Sequence, residues 1–188
     1  MPDDLIIVSD VDEIPNLQSI NLAKVNNQII IFEQHIFYYK FNRYLPNFIW
    51  YGTKACKKKK LISPQWLRNI KNKIFPIWRV DTFFSKNRYI NKLFIQNGGW
   101  HFSNIKNAND LELKLKSYLH HRDYEVEELG YNKINELIKN NETIYDMFGD
   151  KKSKKYGDDK RKKLKKYDIK KLPQFIQDNQ NKLKKWIN

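Results

Sequence analysis

Apolar and polar positions alternate along the chain in short segments that favour strands and helices in turn. LIIV (5–8) is a continuous apolar run that ends in polar residues, which predicts a strand buried on both faces of a mainly parallel sheet. Segments 28–42 and 48–56 are rich in β-branched and aromatic residues and predict further strands. A short strand at 93–96 leads into NGGWH, where two glycines permit a tight turn and close backbone approach.

Other segments have helical patterns. Pro64 can occupy the first position of a helix over 64–73, with Ser63 as its N-cap. The remaining predicted helices are one that starts at Pro15, an amphipathic one over 107–121, a helical hairpin over about 132–148, and a C-terminal amphipathic helix over 172–188 that docks on the core. This order predicts an α/β fold with a mixed sheet, flanking helices and a helical C-terminal third.

Composition limits the class of protein. With 188 residues the chain is long enough for one sizeable core. Its single cysteine, Cys56, excludes an internal disulfide framework and a cysteine-based zinc site. The first residues, MPDD, do not resemble a signal peptide, and no apolar run approaches the ~20 residues of a membrane span. These features predict a cytoplasmic protein.

Much of the net charge of +15 lies in one segment, 151–171, which holds 12 Lys/Arg and 3 Asp/Glu. Such a block is typical of a solvated, mobile segment, and attraction to an anionic membrane surface is the functional alternative. No recognisable motif accompanies the charge, so a specific nucleic-acid partner is not predicted. We therefore predict a core domain over 1–150, a basic segment over 151–171, and the docking helix over 172–188.

The candidate chemistry lies directly after the first strand, where Asp10, Asp12 and Glu13 form a carboxylate cluster. In open α/β sheets the carboxyl ends of strands are where ligands bind. In an extended segment Asp10 and Asp12 point to the same side, and their repulsion is relieved by a cation. Mn²⁺ or Mg²⁺ is the natural partner, and it would in turn hold phosphates. A turn in which an aspartate caps the next helix is the alternative.

Several motifs, taken together, resemble glycosyltransferase family 17. They are IIVSDVDEIPN (6–16), YYKFN (38–42), WYGTK (50–54), SPQWLRN (63–69) and NGGWHFS (97–103), and the resemblance extends into KLKSYLHH (114–121) and the C-terminal segment. It implies a GT-A-like fold built around a DXD metal site. The implied reaction is transfer of a sugar with inversion, N-acetylglucosamine from its UDP donor, to a glycan acceptor in glycan biosynthesis such as protein N-linked glycosylation.

The resemblance also implies roles for single residues. Asp10 and Asp12 match the DXD pair, with Asp12 on the metal, Asp10 on the donor ribose or a metal-bound water, and His101 as a further ligand. A hydrogen-bonded structural histidine is the alternative for His101. The residues expected to contact the donor or acceptor are Trp100, Gly99, His101, Arg68 and Glu33. Core packing is the alternative for Trp100, and a solvated helix arginine is the alternative for Arg68. An inverting transfer needs a general base, for which Glu13 and Asp81 are the candidates, with Glu33 behind them.

Two departures from the family pattern bear on activity. Arg122 stands where relatives are expected to carry a carboxylate, which Asp123 would have to replace. The family also has a nucleotide-binding segment before the DXD strand, so we expect the sheet to be truncated at its N-terminal side, with a partner chain as a candidate source of the missing half. A non-catalytic subunit or remnant, and a polyanion-binding protein acting through 151–171, are the alternatives to a competent enzyme.

Overall fold

The computed structural model describes residues 1–21, 25, 28–72, 90–117, 129–147 and 161–187, and the fold is mixed α/β. The chain divides into two compact units. The first unit is formed by Met1–Gln34 and Ile49–His101, and the second unit is formed by His35–Phe48 and Phe102–Asn188. Within the described ranges the strands are β1 (Leu5–Val8), β2 (Glu13–Pro15), β3 (Ile29–Tyr38), β4 (Arg43–Trp50), β5 (Lys54–Lys57), β6 (Lys92–Asn104) and β7 (Lys165–Lys166). The helices are α1 (Pro64–Asn69), α2 (Ala108–Ser117), α3 (Tyr131–Asn140) and α4 (Gln174–Asp178).

In the first unit, β5 lies between β1 and β3 and pairs with both in antiparallel orientation. The prediction that β1 is buried on both faces of a mainly parallel sheet is wrong, since all four of its residues are only half-buried. Its continuous apolar run has another cause. Leu5 and Ile7 pack against one apolar cluster, and Val8 packs against a second one.

The long strand β6 gives the sheet its mixed character. Ile29 N donates to Asn91 O and Tyr39 N donates to Asn104 O, each at 2.8 Å, so β3 and β6 run in the same direction. The predicted tight turn in NGGWH is absent from this strand, which continues through both glycines. Gly99 has a positive φ of 147° within the continuing strand, and the predicted close backbone approach is confirmed there.

Helix α1 follows the local prediction at its start. The Ser63 side chain accepts a hydrogen bond from Trp66 N at 3.1 Å, and Pro64 occupies the first turn. The helix ends at Asn69, earlier than the predicted residue 73. Leu67 of this helix is fully buried and packs in a cluster with Ile31 and Cys56. After Pro15, by contrast, the described residues form a short 3-10 helix, Leu17–Ser19, and 22–24 of the predicted helix lie outside the described residues.

The burial of Cys56 makes a direct prediction. Its side chain has no solvent exposure, and desolvation raises the pKa of the thiol. Because only the exposed thiolate reacts quickly, we expect Cys56 to be inert to a thiol reagent such as Ellman's reagent in the native protein and to react fully in urea. Since it is the single cysteine of the chain, the absorbance change reports on this position alone. Rapid reaction without denaturant would contradict the packing of β5 against α1.

In the second unit, the two longer helices cover a separate core. α2 and α3 pack against each other, and α3 ends at Asn140, after which Asn141 adopts the left-handed conformation. The predicted helix over 107–121 is confirmed over α2, while 118–121 lie outside the described residues. The described part of the predicted hairpin over 132–148 is a single helix followed by a turn. The buried residues of this core are Ile36, Tyr38, Tyr39, Leu45, Ala108, Leu111, Leu129, Ile134, Ile144 and Leu164.

The C-terminal part of the second unit is built from short elements. β7 pairs antiparallel with β4, and a 3-10 helix over Ile169–Lys171 follows it. Thus 161–171, the second half of the predicted basic segment, takes part in the fold, while 151–160 lie outside the described residues. The single helix predicted over 172–188 is replaced by α4 and a 3-10 helix over Lys184–Trp186. Residues 179–183 separate them, and Asn179 and Asn181 in this stretch favour turns. No helix in the described ranges is long and apolar enough to cross a bilayer.

Candidate functional site

The loop between β1 and β2 carries the carboxylate cluster in the first unit. Glu13 N donates to Asp10 O at 3.1 Å, and Asp10 N donates to the Glu13 carboxylate at 3.2 Å, so the loop closes on itself. Val11 is fully exposed at its tip. The segment is therefore a turn, and the prediction that Asp10 and Asp12 project to one side of an extended chain is wrong. The turn directs the two aspartates to different partners.

Glu13 is the buried anchor of this loop, with an exposure of 6%. One of its carboxylate oxygens accepts from Trp50 Nε1 at 2.6 Å. The other accepts from Thr53 Oγ1 at 3.2 Å, in addition to the Asp10 amide. Both oxygens are thus occupied and shielded, which suits an anchoring role better than proton transfer from an acceptor hydroxyl.

Polar side chains surround that anchor. Ser9 Oγ donates to the backbone oxygen of Glu13 at 2.8 Å and lies 2.6 Å from Thr53 Oγ1. Gln34 Nε2 donates to Thr53 Oγ1 at 3.1 Å from the fully buried side of β3. The hydroxyl of Thr53 therefore lies within hydrogen-bond distance of Ser9, Gln34 and the Glu13 carboxylate. Since buried polar groups are costly when unpaired, this network fixes the conformation of the loop.

His101 and Asp12 face each other beside the anchor. In the β2–β6 pairing Glu13 lies opposite His101, which brings the preceding residue, Asp12, alongside the imidazole. The distance between His101 Nε2 and Asp12 Oδ2 is 3.4 Å. His101 is buried, and its ring centroid lies 4.7 Å from that of Trp50, with an angle of 35° between the rings. Among the described residues its Nδ1 atom has no hydrogen-bond partner.

Asp10 instead pairs with a cation from helix α1. Arg68 donates to both oxygens of Asp10, at 2.5 and 2.7 Å, in a bidentate arrangement. Lys54 Nζ donates to the backbone oxygen of Arg68 in the last turn of α1. Burial lowers the pKa of Lys54, the charge of Arg68 lowers it further, and the carboxylates of Glu13 and Asp10 partly offset this. Two cations thus accompany two of the carboxylates.

A cavity of about 190 Å³ opens beside Asp10, Glu13, Lys54 and Arg68, and neither Asp12 nor His101 lines it. It is lined by Val8, Ser9, Asp10, Glu13, Trp50, Tyr51, Gly52, Lys54 and Arg68. Pockets that enclose a whole drug-sized ligand span about 300–1,000 Å³, so this cavity fits one polar part of a larger ligand. Its lining presents hydrogen-bond donors and acceptors of both charges close together.

The remaining predicted residues lie around this arrangement or outside it. Trp100 pairs with Ile14 on β2, and Gly99 pairs with Pro15, where an added Cβ would lie 2.2 Å from Ile14 O. Gly99 therefore allows the close contact between β2 and β6. Burial raises the pKa of the Tyr51 phenol, and the nearby charge of Glu33 on β3 raises it further. Glu33 does not line the cavity. Asp81, Arg122 and Asp123 lie outside the described residues.

The fit of a divalent cation can be judged from these side chains. No group of three His, Cys, Asp or Glu in the described ranges is arranged to hold a metal ion. Asp12 and His101 offer one oxygen and one nitrogen ligand, whereas Asp10 and Glu13 are engaged elsewhere. Mg²⁺ and similar ions are commonly held by one or two protein carboxylates, with substrate phosphates and water completing the shell. The pair therefore fits a cation that arrives with a diphosphate, not a preformed cage.

Trp50, Thr53 and Lys54 are among the residues of the site that sequence reasoning missed. All of them lie in WYGTK, which carried the family resemblance without an assigned chemical role. The polar Thr53 and the charged Lys54 interrupt an otherwise apolar strand candidate, and both are buried. A charged residue within such a run is a usable signal, because burial requires it to find a partner.

Comparison with known proteins agrees with the resemblance. Residues 1–187 match the sequence model of glycosyltransferase family 17. Searches of curated proteins and of solved structures found no match. Because the family match extends over nearly all of the chain, the protein is a glycosyltransferase by class. It belongs to glycosyltransferase family 17.

Proposed function

We propose that the first unit binds a nucleoside-diphosphate sugar together with Mn²⁺ or Mg²⁺, and that Asp12 and His101 are the protein ligands of the cation. The observation that carries this proposal is the 3.4 Å pairing of His101 Nε2 with Asp12 Oδ2. Glycosyltransferase family membership supports a sugar donor and an acceptor as substrates. By the family resemblance the donor is UDP-N-acetylglucosamine, the acceptor is a glycan, and transfer inverts the anomeric carbon.

The chain's own residues have separate tasks in this proposal. A bound cation supplies charge neutralisation at the departing diphosphate. Arg68 is half-exposed and already forms a two-pronged contact with Asp10, a geometry that suits phosphate oxygens equally well. Glu13 holds Trp50 by its indole N–H, and the Trp50 ring in turn covers His101. This sequence of contacts fixes the imidazole before any ligand binds.

In the transfer itself, an acceptor hydroxyl attacks the anomeric carbon while the bond from that carbon to the diphosphate oxygen breaks. The hydroxyl proton must pass to a base. Of the carboxylates in the described part of the site, Glu13 is buried with both oxygens occupied, whereas Asp10 is 40% exposed. We therefore favour Asp10, once released from Arg68, over Glu13 as the base, and Asp81 stays a prediction.

Calorimetric titration of the purified chain with UDP-N-acetylglucosamine tests the proposal. We expect binding in the presence of Mn²⁺ that disappears when EDTA is added. Asp12→Asn and His101→Gln should each weaken the Mn²⁺-dependent binding by roughly 100-fold, since loss of even an outer-shell partner typically costs 10–100-fold in metal affinity. Asp3→Asn is the matched control, because Asp3 is an exposed carboxylate of the same unit that pairs with Lys57 and Lys59.

Three results would count against the proposal. Binding that persists in EDTA would show that no cation is needed. Unchanged affinity in both site variants would show that Asp12 and His101 are not its ligands. Absence of binding by a chain whose circular dichroism shows a folded protein would mean that these residues do not suffice as a donor site. Comparison with UDP alone and with UDP-glucose separates recognition of the nucleotide from recognition of the sugar.

A further inference from the structure

A positively charged surface surrounds the β3–β4 turn in the second unit. We call it the basic turn surface and define it by Lys40, Arg43, Lys165, Lys166, Lys184 and Lys185. The four lysines of the C-terminal segment are exposed, and Lys40 and Arg43 are half-exposed. These residues come from three separate segments of the chain, so a run of basic sequence does not by itself create the surface.

Backbone hydrogen bonds bring the three segments together. Tyr167 N donates to Asn42 O at 2.8 Å, and Phe41 N donates to Trp186 O at 2.8 Å. Lys40 Nζ donates to the backbone oxygen of Lys185. The β4–β7 pairing places Arg43 opposite Lys166 and Tyr44 opposite Lys165. The positive charges are therefore held at one place by the fold.

Aromatic rings fix the same segments beneath the charges. The Tyr167 ring lies 5.2 Å from both Phe37 and Tyr44, measured between centroids, and the Phe41 ring lies 5.2 Å from Phe102. Edge-to-face packing of this kind adds stability beyond the apolar area that it buries. The backbone that carries these charges is consequently fixed before a partner binds, so the entropy cost of binding falls mainly on the lysine side chains.

Acidic residues are scarce in the chain segments that form this surface. Residues 35–50 contain no Asp or Glu, and 161–187 contain ten Lys/Arg against Asp168 and Asp178. Both of these carboxylates are used locally. Asp168 accepts from the backbone N–H of Lys170 at the start of its 3-10 helix, and Asp178 accepts from the Gln174 side chain. The positive potential is thus not neutralised within the segment.

We propose that the basic turn surface binds anionic phospholipid bilayers. Five of its six charges are lysines, which act as point charges and do not supply the paired donors of arginine. Trp186 lies beside them, with Lys185 Nζ 5.1 Å from the ring, and Phe175 of the same segment is 69% exposed. Tryptophan and exposed aromatic groups next to lysine suit the headgroup region of a membrane. This inference is independent of the proposed sugar transfer.

Vesicle sedimentation tests the inference on the full chain. We expect co-sedimentation with vesicles of phosphatidylcholine and phosphatidylserine, but not with phosphatidylcholine alone, and a loss of binding as salt rises. The double variant Lys165→Gln/Lys166→Gln should bind roughly 30-fold more weakly, from about fivefold per lysine near an anionic surface. Lys58→Gln/Lys60→Gln is the matched control, because it removes the same charge from exposed lysines of the first unit.

The outcomes separate this inference from its competitors. An equal loss in both double variants would overturn it, because net charge alone would then explain binding. Equal binding to neutral vesicles would also overturn it. If short RNA or heparin binds with the same dependence on Lys165 and Lys166 while vesicles do not, the partner is another polyanion and the inference fails. UDP-N-acetylglucosamine titration of the same variants should be unchanged, which keeps a failure here distinct from failure of the donor site.

Discussion

Replacing Glu13 with alanine is expected to lower the free energy of unfolding by about 3 kcal/mol. The variant removes the acceptor for three donors at once, namely Trp50 Nε1, Thr53 Oγ1 and the amide of Asp10. Each buried donor left without an acceptor carries a desolvation penalty of about 1–3 kcal/mol, which the loop offsets in part by rearranging. Urea unfolding followed by far-ultraviolet circular dichroism measures the change.

Two further variants calibrate that result. Glu13→Gln keeps one acceptor oxygen but presents an amide N–H₂ to a donor on the other side, so we expect an intermediate loss. Asp3→Ala removes a carboxylate from the surface of the same unit, where ion pairs contribute about 0–1 kcal/mol. If Glu13→Ala unfolds at the same urea concentration as Asp3→Ala, the anchoring role of Glu13 is wrong.

The second large effect is expected at Gly99. Gly99→Ala places a Cβ 2.2 Å from Ile14 O and 3.0 Å from Pro15 Cα, both on β2, at a φ of 147° that side chains rarely adopt. Because backbone atoms cannot rotate away, β2 must separate from β6. We expect a loss of at least about 3 kcal/mol in the free energy of unfolding. We also expect weaker Mn²⁺-dependent donor binding, since the same pairing brings Asp12 to His101.

Gly130→Ala provides the comparison. Gly130 has an ordinary φ of −65°, and nothing lies within 4 Å of the position its Cβ would take. Alanine there restricts the unfolded chain but is a poorer helix N-cap, and these opposing effects keep the change below about 1 kcal/mol. Similar losses in the two variants would show that the β2–β6 contact does not constrain Gly99 as described.

Local chemistry made some of this structure readable from the sequence. Ser63 and Pro64 start α1 because a hydroxyl cap and a fixed φ act within one turn of helix. The apolar face of 107–121 likewise fixes α2, whose Leu111 is fully buried. The grouping of Asp10, Asp12 and Glu13 in one loop was also predictable, because adjacent residues stay close in any fold.

Long-range partners were not readable in the same way. Asp10 was expected to share a cation with Asp12, yet Arg68 pairs with it from a helix 58 residues away in sequence. Glu13 was expected to be a candidate base, since sequence periodicity does not reveal its hydrogen bonds from Trp50 at the end of β4 and from Thr53 just before β5. The apolar run of β1 led to the wrong prediction of a parallel sheet. A half-buried strand that packs against two apolar clusters needs a continuous run of apolar residues, as a central parallel strand does.

The position of Glu13 also has a consequence for the order in which the first unit folds. Its partners follow 37 and 40 residues later, and the strand that carries His101 closes a still longer loop. Contacts of such sequence separation form late, because loop-closure entropy must be overcome before they contribute any stability. We therefore expect the Asp12–His101 pair to be assembled late in folding. A ligand that binds there would bind only the folded protein and would stabilise it against unfolding. The concentration of substrate would therefore also affect how long the protein survives proteolysis.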